Sequence, residues 1–145
     1  MTTFVVQRSS SWSAEQAWAR LTDWVAHGDM VPLTTVTYAT STQIGVGTQF
    51  VARTSVGPMG FDDPMEVTHW QPPRAGTAGR CRMVKRGGLV RGWAVLTVTP
   101  TPDGCSVRWT ENIRVRFLGP LLSLPVRIIA PRVFGRLVDG LLAAS

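Results

Sequence analysis

The sequence has few of the residues that small folds use as cross-links or metal ligands. Among 145 residues there are two cysteines, Cys81 and Cys105, and two histidines. No Cys-x-x-Cys pair occurs, and no second cysteine or histidine lies near either cysteine, which argues against a zinc site. Two cysteines in a chain with no visible secretion signal are more typical of buried free thiols than of a disulfide.

Long apolar runs are also missing. No stretch approaches the roughly 18 apolar residues of a membrane span, and residues 1–8 lack the basic start and apolar run of a secretion signal. With 44% apolar and 17% charged residues, the composition excludes disorder as the main state. We therefore expect one ordinary domain over residues 1–145, located in the cytoplasm.

Acidic residues are outnumbered, at 9 against 15 basic ones, giving a net charge of +6 and a pI near 11. Only Lys85 among the basic residues is a lysine, and residues 67–102 contain no acid. Either arginine-rich coding or an anionic partner, nucleic acid or membrane, explains this balance. No helix-turn-helix, zinc-finger or single-strand-binding aromatic pattern accompanies the charge, so nucleic acid is not favoured.

Two short helices are predicted near the start of the chain. Ser13 and Gln16 have the spacing of a capping box, which indicates a helix beginning at residue 14. Apolar residues then recur at helical spacing through residue 24: Ala17, Trp18, Leu21 and Trp24. A second helix or turn over residues 25–30 should end before Pro32.

Strands are predicted for most of the remaining chain, separated by turn signals about every 10–15 residues, as in an antiparallel meander. The paired acids Asp62 and Asp63, which precede Pro64, are interpreted as a turn rather than a catalytic pair, because adjacent strand residues point in opposite directions. The predicted strands cover residues 4–9, 34–42, 48–55, 65–70, 80–86, 90–99 and 105–117.

The C-terminal region returns to a helical pattern with an apolar stripe: Phe134, Leu137, Val138, Leu141 and Leu142. We expect a straight helix over residues 131–143, preceded by a bent or separate turn, because Pro125 and Pro131 should break or kink it. This is the only long amphipathic element that can cover one face of the sheet. The predicted fold is α+β: a curved antiparallel β-sheet of about six to seven strands wrapped around a long C-terminal helix, with two short helices between strands 1 and 2.

Three short segments carry a family resemblance: residues 13–18 after the first strand, residues 45–48 in a turn, and residues 103–109 at the last hairpin. With the element order, they make nearly the whole chain resemble the START-like (SRPBCC, helix-grip) superfamily, in particular its bacterial polyketide cyclase/dehydrase and lipid-transport members. The segments are fold markers without a catalytic motif. The resemblance implies an apolar cavity between sheet and helix that holds a small hydrophobic ligand, such as a lipid, polyketide or isoprenoid.

Strand alternation identifies which polar residues should face that cavity. Glu111 lies among apolar residues of the last strand, so it is either a ligand anchor or acid/base group, or the partner of a structural arginine. His69 is a second candidate catalytic residue, although a structural histidine is the more common case. Lys85 should lie on the cavity side and extend to its entrance. Cys81 and Cys105 fall on strands separated by one other, roughly 9.5 Å apart, which exceeds the roughly 7 Å limit for a disulfide.

The leading hypothesis is therefore a protein that binds a small hydrophobic molecule, without a metal, cofactor or obligate protein partner. The alternative is an enzyme of the polyketide aromatase/cyclase type, with Glu111 and His69 as candidate catalytic residues. A third hypothesis, docking of the helix over residues 121–142 to a membrane or partner, is less favoured, since its apolar stripe suits a cover for the core. The predicted ligand-binding residues are Trp109, Glu111, Ile113, Met83, Lys85, Trp93, Tyr38, Phe134 and Val138.

Overall fold

The computed structural model describes residues 2–38, 44–116 and 120–143. Its elements follow the predicted order of one strand, two short helices, six strands and a long helix. They are β1 (Thr2–Ser10), α1 (Ala14–Leu21), α2 (Trp24–Met30), β2 (Thr34–Tyr38), β3 (Gln49–Val56), β4 (Met59–Gln71), β5 (Gly79–Arg86), β6 (Val90–Thr101), β7 (Gly104–Val115) and α3 (Pro120–Ala143).

The seven strands form one antiparallel sheet in the order β1-β7-β6-β5-β4-β3-β2. The sheet curls around α3, which packs against β1 and the two short helices. Leu137, Val138 and Leu141 of the predicted apolar stripe are buried in the core. The α+β helix-grip fold predicted from the sequence is confirmed.

The capping box of α1 is present. The Ser13 Oγ accepts a hydrogen bond from the Gln16 backbone N–H, and the Gln16 Oε1 accepts one from the Ser13 N–H, both at 3.1 Å. The helix ends at Leu21 rather than at residue 24, because the Asp23 side chain accepts from the Ala26 N–H and begins α2. Both predicted short helices are thus present, and the first ends three residues earlier than expected.

Of the two alternatives expected for the proline segment, a bend or a separate turn, the separate turn is wrong. Helix α3 runs without interruption from Pro120 to Ala143. A proline inside a helix removes a single backbone hydrogen bond, and the neighbouring amides can continue the ladder when packing favours it. The contacts of α3 with β1, α1 and α2 supply that packing for its second half.

The turn predicted at Asp62 and Asp63 is also wrong. Strand β4 begins at Met59, and Asp62 and Asp63 lie inside it, opposite Arg53 and Ala52 of β3. Pro64, which cannot donate to a ladder, is tolerated because β5 pairs with β4 only from Met65 onward.

The register defines two ends of the sheet. The closed end contains the β6–β7 turn and helix α1, where Trp18 packs edge-on against Trp70 at 5.0 Å between ring centroids. The open end contains the β3–β4 and β5–β6 turns and the last residues of β7. Cys81 and Cys105 are buried free thiols on β5 and β7, with β6 between them. Within the described ranges no helix is both long and apolar enough to cross a membrane.

Candidate functional site

A cavity of about 260 Å³ lies between the concave face of the sheet and helices α2 and α3, toward the open end. Most of its walls are apolar. Every second residue of each strand faces the cavity, and most of these inward-facing residues are apolar. The exceptions form a short set: His27, Thr34, Thr54, Asp63, Lys85 and Glu111. A largely apolar cavity with a few convergent polar groups is the usual form of a small-molecule site.

Lys85 joins two carboxylates inside this cavity. Its Nζ lies 2.6 Å from Asp63 Oδ2 and 3.3 Å from Glu111 Oε1. The side chains of Lys85 and Glu111 are only 3% and 1% exposed, so the three residues are a buried charge cluster rather than a surface ion pair. We call Asp63, Lys85 and Glu111 the cavity triad.

Trp109 completes the surroundings of Glu111. Its indole Nε1–H donates to Glu111 Oε2 at 2.9 Å, so both carboxylate oxygens have partners. Burial raises the pKa of Glu111, while the Lys85 charge and the indole hydrogen bond act in the opposite direction. Burial alone would lower the pKa of Lys85, but the charges of Glu111 and Asp63 raise it above its ordinary value.

Sequence reasoning missed Asp63. The signal was available: a lysine on the inward face of a β-strand needs a carboxylate partner, and an acid two residues before the inward-facing Met65 shares its face. The Asp63 Oδ1 is buried and has no hydrogen-bond partner in the described part of the chain. The triad therefore retains one unsatisfied acceptor.

His27 is a second polar residue of the cavity wall that the sequence analysis did not identify. Its Nε2–H donates to the Leu21 carbonyl at 2.7 Å, which leaves Nδ1 unprotonated. The ring lies 5.2 Å from Trp24 and 5.6 Å from Trp109 between centroids. Burial lowers the pKa of His27 to about 4, so the ring is neutral at neutral pH.

This neutral histidine predicts a loss of stability in acid. Because the pKa of His27 falls from 6.5 in the unfolded chain to about 4 in the folded one, the unfolded chain binds more protons in that window. Stability should fall as the pH drops from 6.5 to 4, by at most about 1.4 kcal/mol per pH unit. Urea unfolding of wild type and His27→Gln at several pH values measures this contribution.

Carboxylates also affect stability in acid, but they do so in both proteins. The difference in stability between wild type and His27→Gln at each pH therefore gives the contribution of His27 alone. His69→Gln, at an exposed position of β4, is the matched histidine control. Parallel pH profiles for wild type and His27→Gln would contradict the prediction.

Six of the predicted ligand-binding residues line the cavity: Trp109, Glu111, Ile113, Met83, Lys85 and Phe134. Three do not. Tyr38 is exposed at the end of β2, and Val138 is buried in the core while its neighbour Leu137 contacts the cavity. Trp93 lies on the convex face of β6, opposite Val84 and Asn112.

His69, the second candidate catalytic residue, does not line the cavity. A bulge in β4 shifts the pairing with β5 between Val67 and His69. An extra residue in one strand reverses the facing of all that follow it. As a result His69 is exposed and Trp70 turns inward against Trp18.

The cavity offers no evident metal site. Among the residues that the structure describes, no three His, Cys, Asp or Glu side chains are grouped so as to hold a metal ion. Between Asp63 and Glu111, the position that a cation would take is filled by the Lys85 ammonium group.

The curled sheet, the enclosed helix and the cavity between them define a START-like helix-grip protein. A family model described as polyketide cyclase/dehydrase and lipid transport matches residues 1–144. The chain therefore belongs to this family. A search of curated proteins finds no match.

Solved structures share the fold at low sequence identity. The protein TTHA0849 from Thermus thermophilus has a TM-score of 0.76 at 15% identity, over 96% of this chain and 93% of that one. A STAR-related lipid transfer protein from Xanthomonas axonopodis has a TM-score of 0.70 at 17% identity, over 96% and 85%. The Zhui aromatase/cyclase from Streptomyces sp. R1128 has a TM-score of 0.61 at 13% identity, over 94% and 92%. These similarities concern the fold alone.

Proposed function

We propose that residues 1–145 act as one ligand-binding domain that holds a small hydrophobic molecule carrying a polar group. The observation that carries this proposal is the cavity of about 260 Å³, apolar except for a few convergent side chains. Its volume lies just below the range of about 300–1,000 Å³ that is common for small-molecule sites, which favours a compact ligand.

The cavity triad supports a role in orienting the ligand. Lys85 forms ion pairs with both Asp63 and Glu111, so an apolar ligand body can pack beside them without leaving a charge unpaired. Asp63 Oδ1 is the remaining acceptor. A hydroxyl or similar donor on the ligand would satisfy it after a small side-chain movement.

Native mass spectrometry of freshly purified protein, followed by organic extraction, tests this function. We expect a co-purified lipid or small aromatic molecule at near-stoichiometric occupancy. Ala52→Phe should reduce that occupancy by at least about tenfold, because a phenyl ring on this lining residue of β3 would occupy cavity space.

Val51→Phe is the matched control, since Val51 is the next residue of β3 and is not part of the cavity wall. Equal occupancy in the wild type and in both variants would contradict binding in this cavity. A wild-type protein that carries no ligand and takes up no apolar fluorescent probe would contradict the proposal as a whole.

A second candidate function is acid/base catalysis of the aromatase/cyclase type. The favouring observation is that the neutral His27 ring and the Glu111 carboxyl group line the same cavity, where proton transfer would be shielded from water. Binding is preferred over catalysis because Glu111 is already paired with Lys85 and Trp109, and His69 lies outside the cavity. A cyclisation assay on a poly-β-ketone substrate, with Glu111→Gln and His27→Gln, separates the two. Turnover by the wild type that either variant reduces at least about a hundredfold would favour catalysis.

A further inference from the structure

We propose that the open end of the sheet is a docking surface for an anionic lipid membrane, with the cavity entrance facing the bilayer. The proposal does not depend on which ligand the cavity holds, or on whether it holds one. The surface has two parts. The apolar rim consists of Leu33, Val56, Met59 and Phe61, and the arginine row consists of Arg86, Arg91 and Arg114.

The apolar rim extends outward from the cavity wall. Val56 and Met59 are cross-strand partners next to the β3–β4 turn and are 65% and 77% exposed. Val56 lies two residues after Thr54 on β3, and Met59 lies two residues before Phe61 on β4. Since Thr54 and Phe61 line the cavity, Val56 and Met59 are on the same face of the sheet as the cavity. An apolar strip therefore runs from inside the cavity to the tip of a protruding hairpin.

Leu33 joins this strip from the opposite side of β3. Its carbonyl accepts a hydrogen bond from the Ser55 N–H at 3.0 Å, which holds it beside the hairpin. Its backbone has a φ of +61°, an uncommon conformation for a leucine, and its side chain is 64% exposed. A strained backbone that presents an apolar side chain to water is more typical of a functional surface than of a packing requirement.

The arginine row crosses the open-end edge of the neighbouring strands. Arg91 lies directly opposite both Arg86 and Arg114 in the ladder, on the convex face. Like charges at paired positions destabilise a sheet. Arg86 is paired with Glu66, but no carboxylate in the described part of the chain pairs with Arg91 or Arg114. The charges of Arg91 and Arg114 are therefore available to bind an external anion.

A membrane satisfies both parts of this surface, whereas a nucleic acid satisfies one. Anionic lipid headgroups attract arginines from a distance of about 8–10 Å, so the row need not touch the bilayer while the hairpin inserts. The net charge of +6 acts in the same direction. A phosphodiester backbone would pair with the arginines but would leave Val56 and Met59 in water.

Vesicle flotation tests the proposal with phosphatidylcholine vesicles that contain either no anionic lipid or roughly 30 mol% phosphatidylglycerol. At about 0.15 M salt, we expect binding only to the anionic vesicles. Arg91→Gln with Arg114→Gln should weaken binding about 25-fold, at about fivefold for each arginine near the surface. Val56→Ser with Met59→Ser should weaken it about tenfold or more, because two apolar side chains no longer insert.

Matched control variants come from the closed end. Val46→Ser replaces a valine that is 70% exposed before β3, and Arg108→Gln replaces an exposed arginine six residues before Arg114 on the same strand. Neither control position belongs to the apolar rim or the arginine row. None of the substituted residues, in the controls or in the open-end variants, belongs to the core. Neither control should change vesicle binding more than about twofold, because neither position faces the bilayer.

Three results would overturn the proposal. The first is equal loss of binding in the controls and in the open-end variants, which would indicate attraction by net charge alone. The second is full binding by the hairpin variant, which would exclude insertion of the rim. The third is no binding to anionic vesicles, with retention of single-stranded RNA that depends on Arg91 and Arg114.

Vesicle binding and ligand binding can be tested separately. Since flotation needs no cavity ligand, the Ala52→Phe variant should bind anionic vesicles like wild type even though its cavity is blocked.

Discussion

Lys85→Met is expected to destabilise the protein by about 3–5 kcal/mol, because it leaves the buried Glu111 carboxylate and the partly buried Asp63 carboxylate without their common cation. Asp63 and Glu111 lie 2.6 Å and 3.3 Å from the Lys85 ammonium, and the Glu111 side chain is only 1% exposed, so bulk water screens its charge poorly. The methionine has a similar length and apolar stem, so packing changes little. Urea unfolding followed by tryptophan fluorescence measures the loss.

Neutralising the carboxylates should reverse most of this effect. Adding Asp63→Asn and Glu111→Gln to Lys85→Met removes the unpaired charges, and we expect the triple variant to recover more than half of the lost stability. Arg86→Met, one residue along β5, is the surface control and should change stability little, because its pair with Glu66 is exposed to water. A Lys85→Met variant as stable as Arg86→Met would contradict a buried triad.

Gly92→Ala is expected to cost about 3 kcal/mol or more. Gly92 has a φ of +136°, and a Cβ atom there would lie 1.8 Å from the backbone oxygen of Asn112. Because the obstacle is backbone of the neighbouring strand, β6 and β7 would have to separate locally. Asn112 also donates to Thr3 Oγ1 at 2.8 Å, so its displacement weakens the pairing of β7 with β1.

The position of Gly92 connects this backbone constraint to the site. Gly92 is the cross-strand partner of Lys85 on one side and of Ile113 on the other. A shift of β7 away from β6 should therefore change the Lys85–Glu111 distance and reduce ligand occupancy along with stability. Gly88→Ala, where an added Cβ meets nothing within 4 Å, is the matched control and should unfold like wild type. Equal unfolding midpoints for Gly92→Ala and Gly88→Ala would contradict the account.

The inward-facing residues of β5 and β7 were predictable from the sequence because these strands alternate without interruption. Met83, Lys85, Trp109, Glu111 and Ile113 all line the cavity as the period of two requires. On β4 the same rule failed. A bulge after Val67 reversed the facing of His69, and nothing in the local sequence distinguishes a bulged strand from a regular one.

The two missed site residues show a different limit. Asp63 was assigned to a turn because Asp-Asp-Pro is a turn composition, yet long pairing with β3 draws this segment into a strand. His27 lies on a helix of seven residues with no clear amphipathic pattern, and its pKa depends on rings contributed by α2 and β7. Neither environment exists until distant segments meet.

By itself, the sequence determined the order of the elements, the capping box of α1, the apolar face of α3 and a carboxylate among the apolar residues of β7. These features depend on local spacing and on the period of each element, which neighbouring residues encode. Only the tertiary structure decided that Lys85 is shared by Asp63 and Glu111, that His27 is held neutral, and that the exposed rim lies beside the cavity entrance. Those properties arise from strand register and from charges brought together across the sheet, and desolvation acts on them only after the chain has closed around the cavity.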